Sequence, residues 1–157
     1  MNDEALRLHL TRLLEWGDAH ATFEKAFADV PEDARDVRPA GTPYSLWELL
    51  EHLRLTQRDI LDFCRDAGYH EPTWPADYWP TTTMPTDTEA WSDSIASYKR
   101  DRAELTRLAS DPNVDLFAQI PHGSGQTYLR EILLVADHSS HHLGQAILVR
   151  RLLRIWG

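Results

Sequence analysis

Apolar residues recur at every third or fourth position along four long stretches of the chain, which is the spacing of one face of an α-helix. The pattern predicts helices over about residues 3–28, 45–68, 86–111 and 128–155. No stretch shows the strict alternation of apolar and polar residues that is typical of a half-buried strand. The sequence therefore predicts an all-α fold.

Local signals support the ends of these helices. Residues 45–48 and 86–89 each begin with Ser or Thr and end with Glu, the pattern of a capping box. Thr127 is the predicted N-cap of the last helix, while Gly68 and Pro112 mark the ends of the second and third. Helices of about 24 residues are about 36 Å long, and each needs a partner for its apolar stripe. We therefore expect a four-helix bundle that forms a single domain over residues 1–157.

The connection between the second and third predicted helices is long and unusually aromatic. Residues 69–85 contain Trp74, Tyr78 and Trp79 together with four prolines. One interpretation is a crossover between parallel helices that its aromatic side chains hold in place. The other is a lid or wall over a pocket, because long ordered connections are often functional. The two interpretations are compatible.

Composition and charge narrow the class of protein. Apolar residues make up 42% of the chain and charged residues 26%, an ordinary mixture for a folded globular protein. No apolar run approaches the roughly 20 residues of a membrane-spanning helix, and the first residues do not resemble a secretory signal. The single cysteine, Cys64, excludes an internal disulfide. These features predict a cytoplasmic protein, and the net charge of −9 argues against a nucleic-acid partner.

Histidine is the residue type that points to chemistry. His138 and His142 stand four positions apart and thus share a helix face, as in zinc-binding helices. The pair alone is weak evidence, since roughly 0.4 such pairs are expected by chance with 8 histidines in 157 residues. His52 lies on the inward stripe of the second helix, and three buried imidazoles without partners would cost roughly 1–3 kcal/mol each. One bound cation would satisfy all three, although separate hydrogen bonds to neighbours remain an alternative.

Two other residues, Glu131 and His20, are weak candidates for a catalytic role. Glu131 lies two turns before His138 on the same face, where it would act as a base or as a hydrogen-bond acceptor behind the metal ligands, or form an ordinary ion pair. His20 lies near the inward stripe of the first predicted helix and is a candidate for lining a pocket. Cys64 has no cationic neighbours in sequence, so we expect an inert buried thiol.

Two segments of the chain resemble a known family. Residues 136–145, ADHSSHHLGQ, and residues 43–52, PYSLWELLEH, are similar to the histidine-bearing segments of the DinB family of DinB/YfiT-like proteins, which is distinct from the DNA polymerase of that name. The resemblance implies that His52, His138 and His142 are ligands of a divalent metal, nickel or zinc. It also implies an up-down-down-up bundle that is often a homodimer. His141 departs from the family pattern, which is often aromatic there, but the four-residue spacing favours His138 and His142 as the pair.

The expected function follows from this ligand set. Three imidazoles leave at least one coordination position open, as catalytic metal sites do. The sequence and the resemblance therefore predict a metal-dependent enzyme acting on a small-molecule substrate, either as a hydrolase or as a transferase or isomerase that uses a low-molecular-weight thiol. The resemblance favours the thiol-dependent reaction. The alternative is a non-catalytic bundle of the stress response that binds a metal or a small ligand.

Overall fold

The computed structural model describes residues 3–15 and 17–157, and within them the protein is helical. These described residues form five α-helices: α1 (Glu4–Leu13), α2 (Phe23–Phe27), α3 (Leu46–Arg65), α4 (Ala90–Ser110) and α5 (Tyr128–Leu152). Two 3₁₀ turns, Glu32–Ala34 and Ala76–Tyr78, lie in the connections. The described residues contain no strand, and their packing fits a helical bundle, so the predicted all-α class is confirmed.

The two helices that carry the candidate histidines begin where the sequence predicts. At the start of α3, the Ser45 hydroxyl accepts a hydrogen bond from the backbone N–H of Glu48 (3.3 Å). The Glu48 carboxylate accepts one in return from the Ser45 N–H (2.9 Å), which completes the capping box. At the start of α5, the Thr127 hydroxyl accepts from the Arg130 N–H (3.2 Å).

The prediction of one continuous helix over residues 3–28 is wrong. In its place, α1 ends at Leu13 and α2 begins at Phe23; residue 16, which the prediction included, lies outside the described residues. Thr22 has an extended backbone, and its hydroxyl accepts from the Lys25 N–H, so it caps a new helix. The chain also approaches itself closely here, because a Cβ on Gly17 would lie 2.8 Å from the Thr22 side chain. Periodicity alone does not register such a break.

The predicted capping box at residues 86–89 is also wrong. Helix α4 begins at Ala90, with no side-chain cap from Glu89. The Asp87 carboxylate instead accepts from the backbone N–H groups of Glu89 (3.1 Å) and Ala90 (2.8 Å). A carboxylate is a stronger acceptor for these free N–H groups than a hydroxyl, so Asp87 takes the role that the sequence pattern assigned to Thr86.

Two apolar clusters form the core. The first contains the aromatic residues of α2 and α4 and the beginning of α3: Phe23, Phe27, Trp91, Tyr98, Leu46, Leu49, Leu50 and Leu53. The second lies around Leu10, Leu61, Leu105 and Ile132. On α3, His52 lies between Leu49 and Leu53, whose side chains are fully buried in the first cluster. Among the described residues, no helix combines the length and the apolar character needed to cross a bilayer.

The aromatic connection between α3 and α4 lies against the bundle. Trp79 stacks on Tyr44 on one side and on the His52 ring on the other, and the Trp47 indole N–H donates to the Thr82 carbonyl (3.2 Å). Trp74 remains 70% exposed. Part of the connection thus forms a wall beside His52.

Candidate metal centre

Three histidines from two helices meet inside the bundle. His52 comes from α3, and His138 and His142 come from successive turns of α5. The Nε2 atom of His52 lies 3.1 Å from the Nε2 atom of His138 and 3.1 Å from that of His142. The three potential ligand atoms all lie within 4.8 Å of one another, so the group could hold a metal ion. The structure thus brings together the three residues that the sequence singled out.

The opposite nitrogen of each imidazole faces a hydrogen-bond acceptor. His52 Nδ1–H donates to the Tyr78 carbonyl (2.6 Å), and His142 Nδ1–H donates to the Gln145 side-chain oxygen (2.7 Å). His138 Nδ1 lies 3.4 Å from the Thr56 hydroxyl oxygen. That hydroxyl already donates to a backbone carbonyl, which leaves its oxygen free to accept.

These partners set the tautomer of all three rings. Because each proton is on Nδ1, each Nε2 carries a lone pair, and the lone pairs of three neutral imidazoles point at one small volume. Lone pairs at this separation repel one another unless a proton or a cation lies between them. Three outer hydrogen bonds that hold three inward lone pairs are the arrangement that metal-binding histidines show in proteins.

The spacing of the nitrogens also fits a divalent ion. Zinc–nitrogen bonds of about 2.0–2.1 Å in a tetrahedron place neighbouring nitrogens roughly 3.3–3.4 Å apart. The observed 3.1 Å is close to that edge. These are the two distances from His52, and the third, between His138 and His142, is no longer than 4.8 Å.

Burial keeps the three rings neutral. Desolvation lowers the pKa of His138 to about 3, and the neighbouring imidazoles His142, His52 and His141 lower it further in the same direction. Desolvation likewise lowers the pKa of His142 to about 4 and also lowers that of His52. His52 is only 3% exposed. Imidazoles that resist protonation remain available as ligands.

Sequence reasoning did not identify Thr56 and Gln145 as partners of the histidines. Gln145 lies three positions after its partner His142, so helical spacing contains the signal for that contact. Thr56 faces His138 on the other helix, and spacing along α3 gives no signal for it. The Tyr78 carbonyl gave no signal of this kind, because it is a backbone group from a distant loop.

The two candidate catalytic residues lie outside the histidine group. Glu131 is buried and forms an ion pair with Arg130, and it lines a cavity of about 260 Å³ together with Asp59 and Tyr69. His20 is exposed between α1 and α2, where its Nε2 lies 3.3 Å from the Ser140 hydroxyl oxygen. It lines a separate cavity of about 280 Å³. Their catalytic roles stay predictions.

The depressed pKa values predict that the metal-free protein loses stability as pH falls. In the unfolded chain a histidine takes up its proton near pH 6.5, whereas the pKa values of folded His138 and His142 are about 3 and 4. The unfolded state therefore binds more protons below pH 6.5, so the free energy of unfolding is highest above that pH and falls towards pH 4. One proton of difference corresponds to about 1.4 kcal/mol per pH unit.

Urea denaturation with chelator present at pH 7.0 and 5.5 checks this, with an expected loss of about 2–3 kcal/mol, or about 1.2 kcal/mol for each of His138 and His142. His138→Gln should reduce the pH dependence. His9→Gln, at an exposed position on α1, is the matched control and should leave it unchanged. An equal stability at both pH values in the parent protein would contradict neutral burial of the histidines.

Comparison with known proteins agrees with this geometry. The family model of the DinB superfamily matches residues 15–146, a range that contains all three histidines. Searches of curated proteins and of solved structures found no significant match. Because the family model covers most of the chain, this protein belongs to the DinB superfamily.

Proposed function

We propose that this protein is a metal-dependent enzyme that binds one divalent ion, nickel or zinc, through His52, His138 and His142 and acts on a small molecule with the help of a low-molecular-weight thiol. The observation that carries the proposal is the convergence of three Nε2 lone pairs whose Nδ1 atoms all face acceptors. Membership of the DinB superfamily supports it.

The choice of reaction rests on the charge of the ligand set. The group consists of neutral imidazoles, so a divalent ion bound there keeps its full charge and favours an anionic ligand. A thiolate satisfies this preference and is a good ligand for nickel and zinc. A bound ion supplies Lewis acidity, which polarises a carbonyl group or lowers the pKa of a thiol or a water molecule. Hydrolysis is the second candidate, because an open position also admits water.

The residues around the group have two roles in this proposal. Thr56, Gln145 and the Tyr78 carbonyl hold the imidazoles in the tautomer and orientation that a metal needs. Trp79 covers one face of His52, with ring centroids 3.9 Å apart and planes inclined by 5°, and Tyr44 stacks behind it. This aromatic wall excludes water from one side of the site.

We also propose the up-down-down-up order for the long helices α1, α3, α4 and α5. Arg7, near the start of α1, donates to the Ala109 carbonyl at the end of α4, which supports opposite directions for these two. Leu46 and Trp91, from the first turns of α3 and α4, share one core cluster, which supports a parallel pair. Leu46 also shares that cluster with Val149, from the end of α5, which supports an antiparallel pair of α3 and α5.

Elemental analysis followed by an activity screen tests the proposed function. Protein purified without chelator should carry about one divalent ion per chain, because the described residues contain one group of three potential ligands. The loaded protein should then accelerate thiol transfer to, or isomerisation of, small electrophiles, and the chelated protein should not. Glutathione, cysteine and other small thiols are the probes.

Four results are informative. Thiol-dependent turnover that disappears with chelator supports the enzyme, and metal-dependent hydrolysis without thiol supports the second candidate. A full complement of metal with no turnover in either screen indicates a non-catalytic metal-binding bundle. No metal after incubation with nickel or zinc contradicts the metal site itself.

A further inference from the structure

A chain of hydrogen bonds connects His52 to a carboxylate further along the same helix. His52 Nδ1–H donates to the backbone carbonyl of Tyr78 (2.6 Å). The Tyr78 hydroxyl then donates to one oxygen of Asp59 (3.0 Å), and the Tyr69 hydroxyl donates to the other oxygen (2.6 Å). Asp59 therefore anchors two residues of the connection between α3 and α4, Tyr69 and Tyr78. Of these two, Tyr78 contacts the candidate metal ligand His52.

We propose that Asp59 is a positioning residue for the metal centre, which it orients through Tyr78. The inference rests on the proposed metal site. The Tyr78 carbonyl belongs to a single 3₁₀ turn, Ala76–Tyr78, in an otherwise irregular connection, so no regular ladder of backbone hydrogen bonds sets its direction. The anchored phenol ring of Tyr78 supplies that constraint, and His52 is oriented by the carbonyl of the same residue.

The chemistry of the link suits a permanent anchor. Tyr78 is largely buried, and burial together with Asp59 raises its pKa to about 12, so its hydroxyl stays a hydrogen-bond donor at neutral pH. Burial raises the pKa of Asp59, with Glu71 and Asp62 acting in the same direction, while its two phenol donors favour the charged form. An ionised carboxylate that accepts two hydroxyls makes stronger hydrogen bonds than a neutral acceptor would.

The same anchor also places the aromatic wall. Trp79 follows Tyr78 directly and lies flat on the His52 ring, with centroids 3.9 Å apart. The His52 imidazole is therefore held in its plane by the Tyr78 carbonyl and on its face by Trp79. A shift of Tyr78 would loosen both contacts, and the Nε2 lone pair would lose its direction.

A matched pair of substitutions separates positioning from simple stabilisation. Tyr78→Phe and Tyr69→Phe each remove one hydroxyl that donates to Asp59, but only Tyr78 also contacts His52. With the full chain, the affinity for Ni²⁺ is measured by chelator competition, and the thermal midpoint of the metal-free variants reports their folding. Tyr78→Phe should weaken Ni²⁺ binding by about tenfold, the lower limit for partners that contact a ligand directly, and Tyr69→Phe by less than about threefold.

A spectroscopic measurement distinguishes positioning from a purely structural role, because a loss of stability alone would leave the absorption bands of the bound metal unchanged. The visible absorption of the Co²⁺-loaded protein depends on the arrangement of its ligands, so Tyr78→Phe should shift the bands and Tyr69→Phe should leave them in place. Asp59→Asn removes the charge that both phenols use and should weaken Ni²⁺ binding at least as much as Tyr78→Phe. If Asp59→Asn does not fold, the comparison of Tyr78→Phe with Tyr69→Phe still tests the positioning role.

The outcomes distinguish this inference from the proposed function. Equal losses of Ni²⁺ affinity in the two tyrosine variants, or no loss in Tyr78→Phe, would overturn the positioning role while the metal site stands. Failure of the parent protein to bind Ni²⁺, Zn²⁺ or Co²⁺ would overturn the metal site and this inference with it. A selective loss in Tyr78→Phe, with metal-free thermal midpoints that match, establishes the link.

Discussion

Replacing His142 with alanine is expected to lower the affinity of the protein for nickel or zinc by at least about a hundredfold. Structural zinc sites with four ligands have apparent binding free energies of about 10–16 kcal/mol, or roughly 3 kcal/mol per ligand. At 1.4 kcal/mol for each factor of ten, the loss of one ligand exceeds about a hundredfold. His142 is only 8% exposed, its Nε2 lies 3.1 Å from that of His52, and among the described residues the group has no fourth His, Cys, Asp or Glu ligand to replace it.

His141→Ala is the matched control for this experiment. His141 is the adjacent residue on α5, and its ring centroid lies 4.8 Å from that of His142, yet it is exposed and outside the group of three. Competition titration with a chromophoric chelator measures both variants against the parent. The control should retain metal affinity, and equal losses in the two variants would contradict the assignment of ligands by four-residue spacing.

Replacing Arg150 with methionine is expected to lower the free energy of unfolding by about 3 kcal/mol, because hydrogen bonds to a charged group contribute about 1.5–3 kcal/mol each and this guanidinium makes several. Arg150 is buried and donates to the carbonyls of Lys25 and Ala26 in α2 and of Ile155 beyond α5. Methionine preserves an apolar stem but leaves these acceptors without their donor.

Arg151→Met is the control, since Arg151 is the next residue on the same helix and is exposed. Exposed substitutions of this kind usually change stability by no more than about 0.5 kcal/mol. Urea denaturation of both variants gives the comparison. Similar losses of unfolding free energy in the two variants would contradict a role for the contacts of Arg150 with α2. They would indicate instead that both arginines stabilise the helix through their charge near its C-terminal end.

The sequence predicted the parts of the fold that are determined locally. The beginnings of α3 and α5 follow from capping residues within three positions of the first helical turn, and the end of α4 follows from Pro112. The break at Gly17 and Thr22 was missed because apolar periodicity continues across it. The start of α4 was missed because two overlapping cap patterns compete there, and the stronger acceptor, Asp87, prevails.

For the candidate site, helical spacing alone identified His138 and His142 as neighbours, since residues four positions apart on a helix always share a face. The inward stripe of α3 made His52 a candidate partner. The contact of His52 with His138 and His142 depends on how α3 and α5 pack, and the spacing of residues within one helix does not predict contacts between helices. The same limit explains why Arg150 and Arg151 look alike in sequence and differ in burial.

The sequence by itself therefore determined the helical class, the positions of α3 and α5 and the face on which each histidine lies, because these depend on residues within one or two turns. Only the tertiary structure decided that the three Nε2 atoms converge, that the Tyr78 carbonyl orients His52 and that Trp79 covers it. Those contacts join residues far apart in the chain, and one of them involves a backbone group that every residue type possesses. Their geometry is set by packing, and packing is a property of the whole chain.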